Sequence, residues 1–222
     1  MSALLREAGA KDWIAGYGIR TPARRVARTV DEALEALVSL RAPVVVKLVS
    51  QSLHKSDVGG VRLGIDGAAG LREAIASIDR AAGEHGIAVE GYLIEEMVPR
   101  GVEVLAGGIV DPVFGPAVVV GFGGVFTEVL NDVVARICPI DSADAHEMIR
   151  EMKAAPLLFG VRGQPAVDVE ALVAVLLALG GPHGIMMEQA HRIREIDLNP
   201  VIVSPHGAIA VDARIVLREN DA

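Results

Sequence analysis

Cysteine occurs once in the 222 residues, at Cys138. An internal disulfide is therefore excluded, and so is a zinc site built on several cysteines. A single thiol fits a reducing compartment, so a cytoplasmic location is expected. Aromatic residues make up 3% of the chain, too few for a base-stacking platform. Basic residues are also in deficit: 21 Lys and Arg face 29 Asp and Glu, giving a net charge of −8 and a pI near 5.3. Nucleic-acid backbones are bound by basic faces, so nucleic-acid binding is not expected. The opening stretch MSALLREAGAKDW reaches a glutamate before any long apolar core, so no signal peptide is expected. The apolar run Val169–Leu179 carries Glu170 and is too short to cross a bilayer. Internal repeats, low-complexity tracts and long linkers are missing as well.

What is present is a well-cored chain, 51% hydrophobic with mean hydropathy +0.42. Its length suits one large domain or two small lobes around a cleft. Among its basic residues, arginine dominates: there are 17 arginines and 4 lysines. Two of those lysines, Lys47 and Lys55, fall in one short segment. Lys47 stands inside Val44–Val49, a valine-rich run flanked by turn formers that reads as a buried strand. A lysine there is costly unless an anion partners it. His54, Lys55 and the pair Gly59-Gly60 follow. A histidine can accept a proton or carry a phosphoryl group near neutral pH. Adjacent glycines let backbone N–H groups approach phosphate oxygens. Taken singly, a strand lysine is usually an edge residue and a histidine a satisfied polar one. Together, Lys47, His54, Lys55, Gly59 and Gly60 suggest a place where a phosphate chain meets a nucleophile.

The remaining pattern predicts mixed order. A short helix is expected over Ser2–Gly16, then an extended entry through Pro22. Thr29 and Glu32 form a capping box for a helix running to Leu40. Strands are expected at Val61–Ile65, Glu90–Val98, Gly101–Val110 and Ala117–Phe122, with helices over Gly70–Gly83, Ser142–Ala154 and Asp168–Leu179. Gly121–Val125 reads as a second Gly-rich turn. The fold class is α+β, with an N-terminal helix at 2–16, lobes at roughly 17–98 and 99–222, and a hinge at Met97–Gly101.

Two strands close the chain, Arg192–Val203 and Ala208–Leu217, joined by Ser204-Pro205-His206-Gly207. If Val203 faces Ala208, the same register sets Asn199 opposite Asp212 and Asp197 opposite Arg214. An amide oxygen beside a carboxylate is a hard-oxygen pair suited to Mg²⁺. An ordinary polar hairpin face gives the same pattern, and Pro200 can bulge the strand. Glu95 and Glu103 flank the hinge, where carboxylates could meet ribose hydroxyls or an adenine amino group.

The stretches VVVKLVS (44–50), HKSDVGGVRL (54–63), GGIVDPVFGP (107–116), GFGGVFTEVLNDV (121–133) and EIDLNPVIV (195–203) together resemble the ATP-grasp (beta) subunit of ADP-forming acyl-CoA synthetases. A more distant likeness is to the succinyl-CoA synthetase beta subunit. The resemblance implies an ATP-grasp fold, two lobes around a nucleotide cleft. It also implies phosphoryl transfer between ATP/ADP and a phosphohistidine, coupled to acyl-CoA/acyl phosphate interconversion. His54 takes the place of the phosphoryl-shuttling histidine, Lys47 that of the lysine on the ATP phosphates, and Gly59, Gly60 and Val61 that of the phosphate-covering loop. Glu95, Met97 and Val98 would line the adenine hinge, Glu103 the ribose, and Asn199 and Asp212 the Mg²⁺, with Asp197 beside them. Glu128 and Asp132 would grip the phosphorylated histidine or its carrier. No G-x-G-x-x-G opens a βαβ unit, so a CoA-binding alpha-type partner subunit is expected, in a hetero-oligomer. The alternatives are an ATP-grasp carboxylate–amine ligase without phosphohistidine and a non-catalytic nucleotide-sensing module.

Overall fold

The computed structural model describes residues 4–50, 58–123, 132–161 and 165–218. It divides into two compact units, residues 22–98 and residues 1–21 with 99–222. The N-terminal helix and the entry as far as Thr21 thus belong with the C-terminal part, whereas the sequence reading began the first lobe at residue 17.

The smaller unit is a four-stranded antiparallel sheet in the order β2 (Arg24–Ala27), β5 (Gly91–Glu96), β3 (Val44–Val49), β4 (Val61–Ile65). Alternation along the strands sends Val44, Val46, Leu48, Tyr92 and Ile94 to one face. There they pack on Ala33 and Ala36 of α2 (Val30–Val38) and on Leu71, Ile75 and Ile78 of α3 (Gly67–Glu84). Tyr92 fixes the layer by donating its hydroxyl to Asp79 at 2.6 Å. Thr29 caps α2 by accepting from the Glu32 N–H at 3.2 Å. The return bond differs from a simple capping box: the Glu32 carboxylate accepts from Arg28 N–H, one residue upstream of the cap. The other face of the sheet carries Val45, Lys47, Leu93 and Glu95.

The larger unit is a seven-stranded antiparallel sheet. Its path is β1 (Leu4–Leu5), β11 (Arg214–Leu217), β9 (Ile193–Ser204), β6 (Val102–Asp111), β7 (Gly115–Phe122), β8 (Val133–Ile137), with β10 (Gly207–Ala210) also on β9. Even-numbered residues of β6 and β7 (Val104, Ala106, Val118, Val120, Phe122) enter the core, where they meet α1 (Glu7–Ala15), α4 (Ser142–Glu151), α5 (Val169–Gly180) and α6 (Ile185–Glu188). Gly180 lets α5 come close: a Cβ there would lie 2.9 Å from Val118 Cβ and 3.0 Å from Cys138 Sγ. The expected apolar run 169–179 extends further than the sequence reading allowed. Residues 169–188 have the length and composition of a membrane span, with hydropathy 1.7, but they form two helices and contribute Leu172, Leu176, Leu179, Ile185 and Met186 to the core.

Other boundaries moved as well. The N-terminal helix starts at Glu7, because Leu4 and Leu5 pair with Val216 and Ile215 as an edge strand. The fifth strand stops at Glu96, where Met97 N–H turns to the Pro43 carbonyl. The last strand is two strands, interrupted at Val211–Ala213.

Candidate functional site

In the smaller unit, Lys47 stands opposite Leu93 on one side and Val61 on the other. Lys47 is 8% exposed and Glu95 2%. Their charged ends meet at 3.0 Å, so the anion that a buried strand lysine requires is present within the same sheet. Alternation could have revealed this pair, since Leu93 and Glu95 share the face of Lys47; only the strand order was hidden. The Gly-rich turn is held from behind. Gly60 O accepts from Leu48 N–H at 2.8 Å, and Gly59 O accepts from the Arg62 guanidinium at 2.6 Å. Gly59 has φ +69, a left-handed conformation that suits glycine. Arg62 is a brace that sequence reasoning missed; it also donates to the Ser77 hydroxyl of α3 at 2.7 Å. Met97 is exposed and Val98 half-buried at the edge of this unit.

In the larger unit the anticipated register is present in both ladders. Ala208 pairs with Val203 and Ala210 with Val201, while Arg214 pairs with Asp197 and Ile215 with Ile196. Val211–Ala213 and Leu198–Pro200 lie between the two ladders, and Val211 N–H bonds the Pro200 carbonyl at 3.0 Å. Continuity of register sets Asn199 against Asp212. The bulge expected at Pro200 falls on the other side of β9, where its pairing with β6 shifts between Val104 and Ala106. Asp197 pairs there with Gly107, which adds no side chain beside it. Burial pushes the Asp197 carboxyl above its usual range; Glu195 and Asp212 push it further, and Arg214 opposes them. Asp197 and Asp212 thus sense each other's charge. Two carboxylates and an amide oxygen, with no sulfur or imidazole among them, form a donor set that fits Mg²⁺. Among the described residues no three His, Cys, Asp or Glu side chains gather into a metal cluster. Mg²⁺ tolerates this, because it commonly takes one or two carboxylates together with substrate phosphates. Glu103 is exposed on β6, and its carbonyl accepts from Gly123 N–H at 2.8 Å.

Asp132 sits 5% exposed at the start of β8. Its two carboxylate oxygens accept from the backbone N–H groups of Lys153 and Ala154, at 2.8 and 2.9 Å. Asp132 thus anchors the chain just after α4; the phosphohistidine it is expected to grip lies outside the described residues. His54, Lys55 and Glu128 lie outside the described residues, as do Gly124 and Val125 of the second Gly-rich turn, whose Gly121 and Phe122 end β7.

The fold and this site geometry point to one family. An ATP-grasp domain model matches residues 1–217, and the chain belongs to the ATP-grasp family. Within it, the chain is 43% identical to the ADP-forming acetate–CoA ligase I subunit beta of Pyrococcus furiosus, over 96% of this chain and 91% of that one. It superposes with TM-score 0.92 on the dinucleotide-forming acetyl-coenzyme A synthetase 1 of Ca. Korarchaeum cryptofilum in complex with coenzyme A and Ca-AMPCP, at 42% identity over 97% of this chain and 93% of that one. A second structure of that protein holds coenzyme A and Mg-AMPPCP, with a phosphohistidine segment pointing towards the nucleotide site; it matches at TM-score 0.83 and 41% identity, over 97% and 93%.

Proposed function

We propose that this chain is the nucleotide-binding subunit of an ADP-forming acyl-CoA synthetase. The observation that supports this most is the 43% identity to an ADP-forming ligase beta subunit along 96% of the chain. Lys47, backed by Glu95, would hold nucleotide phosphates under the Gly59-Gly60-Val61 turn, and Lys55 would add a second cation. Glu95, Met97 and Val98 would face the adenine and Glu103 the ribose. Asp197, Asn199 and Asp212 would hold Mg²⁺, which when bound screens the charge of the β- and γ-phosphates.

The chemistry assigned to the chain is one transfer. A neutral ring nitrogen of His54 attacks the γ-phosphorus of ATP, the bond to the β–γ bridging oxygen breaks, and ADP leaves; ATP synthesis is the same step reversed. A histidine of ordinary pKa is largely neutral near pH 7 and thus nucleophilic. Glu128 would steady the phosphorylated segment, with Asp132 holding the chain that follows. A CoA-binding alpha-type subunit would exchange the phosphoryl group with the acyl substrate, and the location would be cytoplasmic. The test is reconstitution. ATP, CoA and a carboxylate should give acyl-CoA only when the chain is mixed with such a partner. Robust acyl-CoA formation by the chain alone would overturn the division of labour, and amide formation when an amine is supplied in place of CoA would favour a carboxylate–amine ligase.

A further inference from the structure

Lys11 is the most completely buried cation described in the molecule, at 0% exposure, and none of the roles above uses it. It lies on α1, one turn after Glu7, and its Nζ donates to the Glu7 carboxylate at 2.7 Å. The same Nζ donates at 2.7 Å to the carbonyl of Val211, two hundred residues away in sequence. Val211 opens the interruption between β10 and β11, directly before Asp212. Its own N–H bonds the carbonyl of Pro200, directly after Asn199. One residue, Val211, therefore precedes Asp212 and is bonded beside Asn199, and a buried ammonium holds its carbonyl.

The rest of the N-terminal segment braces the same hairpin. Leu4 and Leu5 pair with β11, and Ala210 N–H bonds the Arg20 carbonyl at 2.9 Å. Trp13 of α1 lies under the Arg192 guanidinium at 5.1 Å, at the start of β9. These contacts have an ordinary structural use. The Lys11 contact is different, because a backbone carbonyl in an interrupted strand does not require an ammonium ion brought out of water with its counter-charge. A buried ion pair is weak evidence for stability, since apolar residues of equal volume often serve as well or better.

We infer that Lys11 is a positioning residue for the metal pair: acting through the Val211 carbonyl, it sets the spacing between Asn199 and Asp212. This rests on the Mg²⁺ reading given above. Groups that orient metal ligands without touching the metal typically change affinity by about 10- to 100-fold when removed.

The test uses the full chain with a non-hydrolysable ATP analogue and Mn²⁺ as the probe, its binding followed by water-proton relaxation. In the double variant Glu7→Leu/Lys11→Met both charges are removed together and the volume is kept. It should melt cooperatively and bind the analogue like the parent in the presence of EDTA, but hold Mn²⁺ about tenfold more weakly. Asp212→Asn runs beside it. If Asp212→Asn weakens Mn²⁺ and the double variant does not, the role of Lys11 is overturned while the metal reading stands. If Asp212→Asn leaves Mn²⁺ binding unchanged, the metal reading fails and the role of Lys11 with it. Should the double variant not melt cooperatively, Glu7→Gln/Lys11→Met replaces it. The donor on Val211 is again removed, so weaker Mn²⁺ binding supports the inference and parental affinity overturns it.

Discussion

Lys47 and Glu95 place opposite charges side by side in a β-sheet, both nearly without solvent contact. Removing one partner of such a pair leaves the other charge buried, which costs about 3–5 kcal/mol. Lys47→Ala should therefore lower stability by about that much in urea unfolding, as well as weaken nucleotide binding. Lys47→Met combined with Glu95→Gln should recover most of the stability and none of the affinity. Recovery of both would take Lys47 out of the site. Asp197 shows the opposite electrostatics. Its carboxyl is raised above the ordinary 3.8, so the folded state holds its proton more tightly than the unfolded chain does. The stability that Asp197 contributes is complete below 3.8 and is lost as pH rises through the raised folded value. Asp197→Asn, which cannot ionise, should thus have a higher Tm than the parent at pH 7. The gap should close as the pH falls to about 3.8. A gap that widened in acid would contradict the burial of an ionised Asp197. The same burial raises the Cys138 thiol to about 11, so a thiol reagent at pH 8 should label it only after unfolding.

At the scale of elements, Asp132 shows how a side chain can stabilise a junction. Asp132→Ala would remove the hydrogen bonds to the N–H groups of Lys153 and Ala154, at about 0.5–1.5 kcal/mol each, since neither residue is buried. The loss should appear in urea unfolding, and the stable fraction of the protein should still bind nucleotide; abolished nucleotide binding at full stability would instead favour a direct role. The strands Val44–Val49 and Val61–Ile65 were legible to the residue, because valine runs bounded by Pro43, Gly60 and Asp66 leave little choice of register. The hairpin register, Val203 against Ala208, was legible from the short connection, although Ser204 and Gly207 also pair and only Pro205 and His206 form the turn. The interruption at Val211–Ala213 was not. Those residues read as a continuation of the strand, and the contact made there by the Val211 carbonyl is with Lys11, from the other end of the chain. The edge strand at Leu4–Leu5 was hidden for the same reason: its partner is Val216. Helix starts were clear where a cap was local, as at Thr29. The anchoring by Asp132 was not legible, because the two backbone amides beyond α4 that it holds carry no sequence signal.

The whole molecule consists of two units with different work. The smaller one brings a buried lysine to the face of a sheet opposite its helices, beside a glycine turn. The larger one carries Asp197 and Asn199 on a bulged strand, with Asp212 in the interruption between the strands that pair with it. The sequence made both clusters visible as residue types, and the family as a pattern of motifs. It did not reveal the connections behind them: Glu95 behind Lys47, Arg62 behind Gly59, Lys11 behind Val211. Those supports come from distant strands and helices and are fixed only when the chain has folded. The central claim is that the two clusters serve a phosphoryl transfer to His54, and the most direct measurement is incorporation of label from γ-labelled ATP with Mg²⁺, in the presence of a CoA-binding partner subunit. The account predicts label that is acid-labile and base-stable, and that is lost in His54→Ala. Label that survives acid, or that persists in His54→Ala, would contradict it.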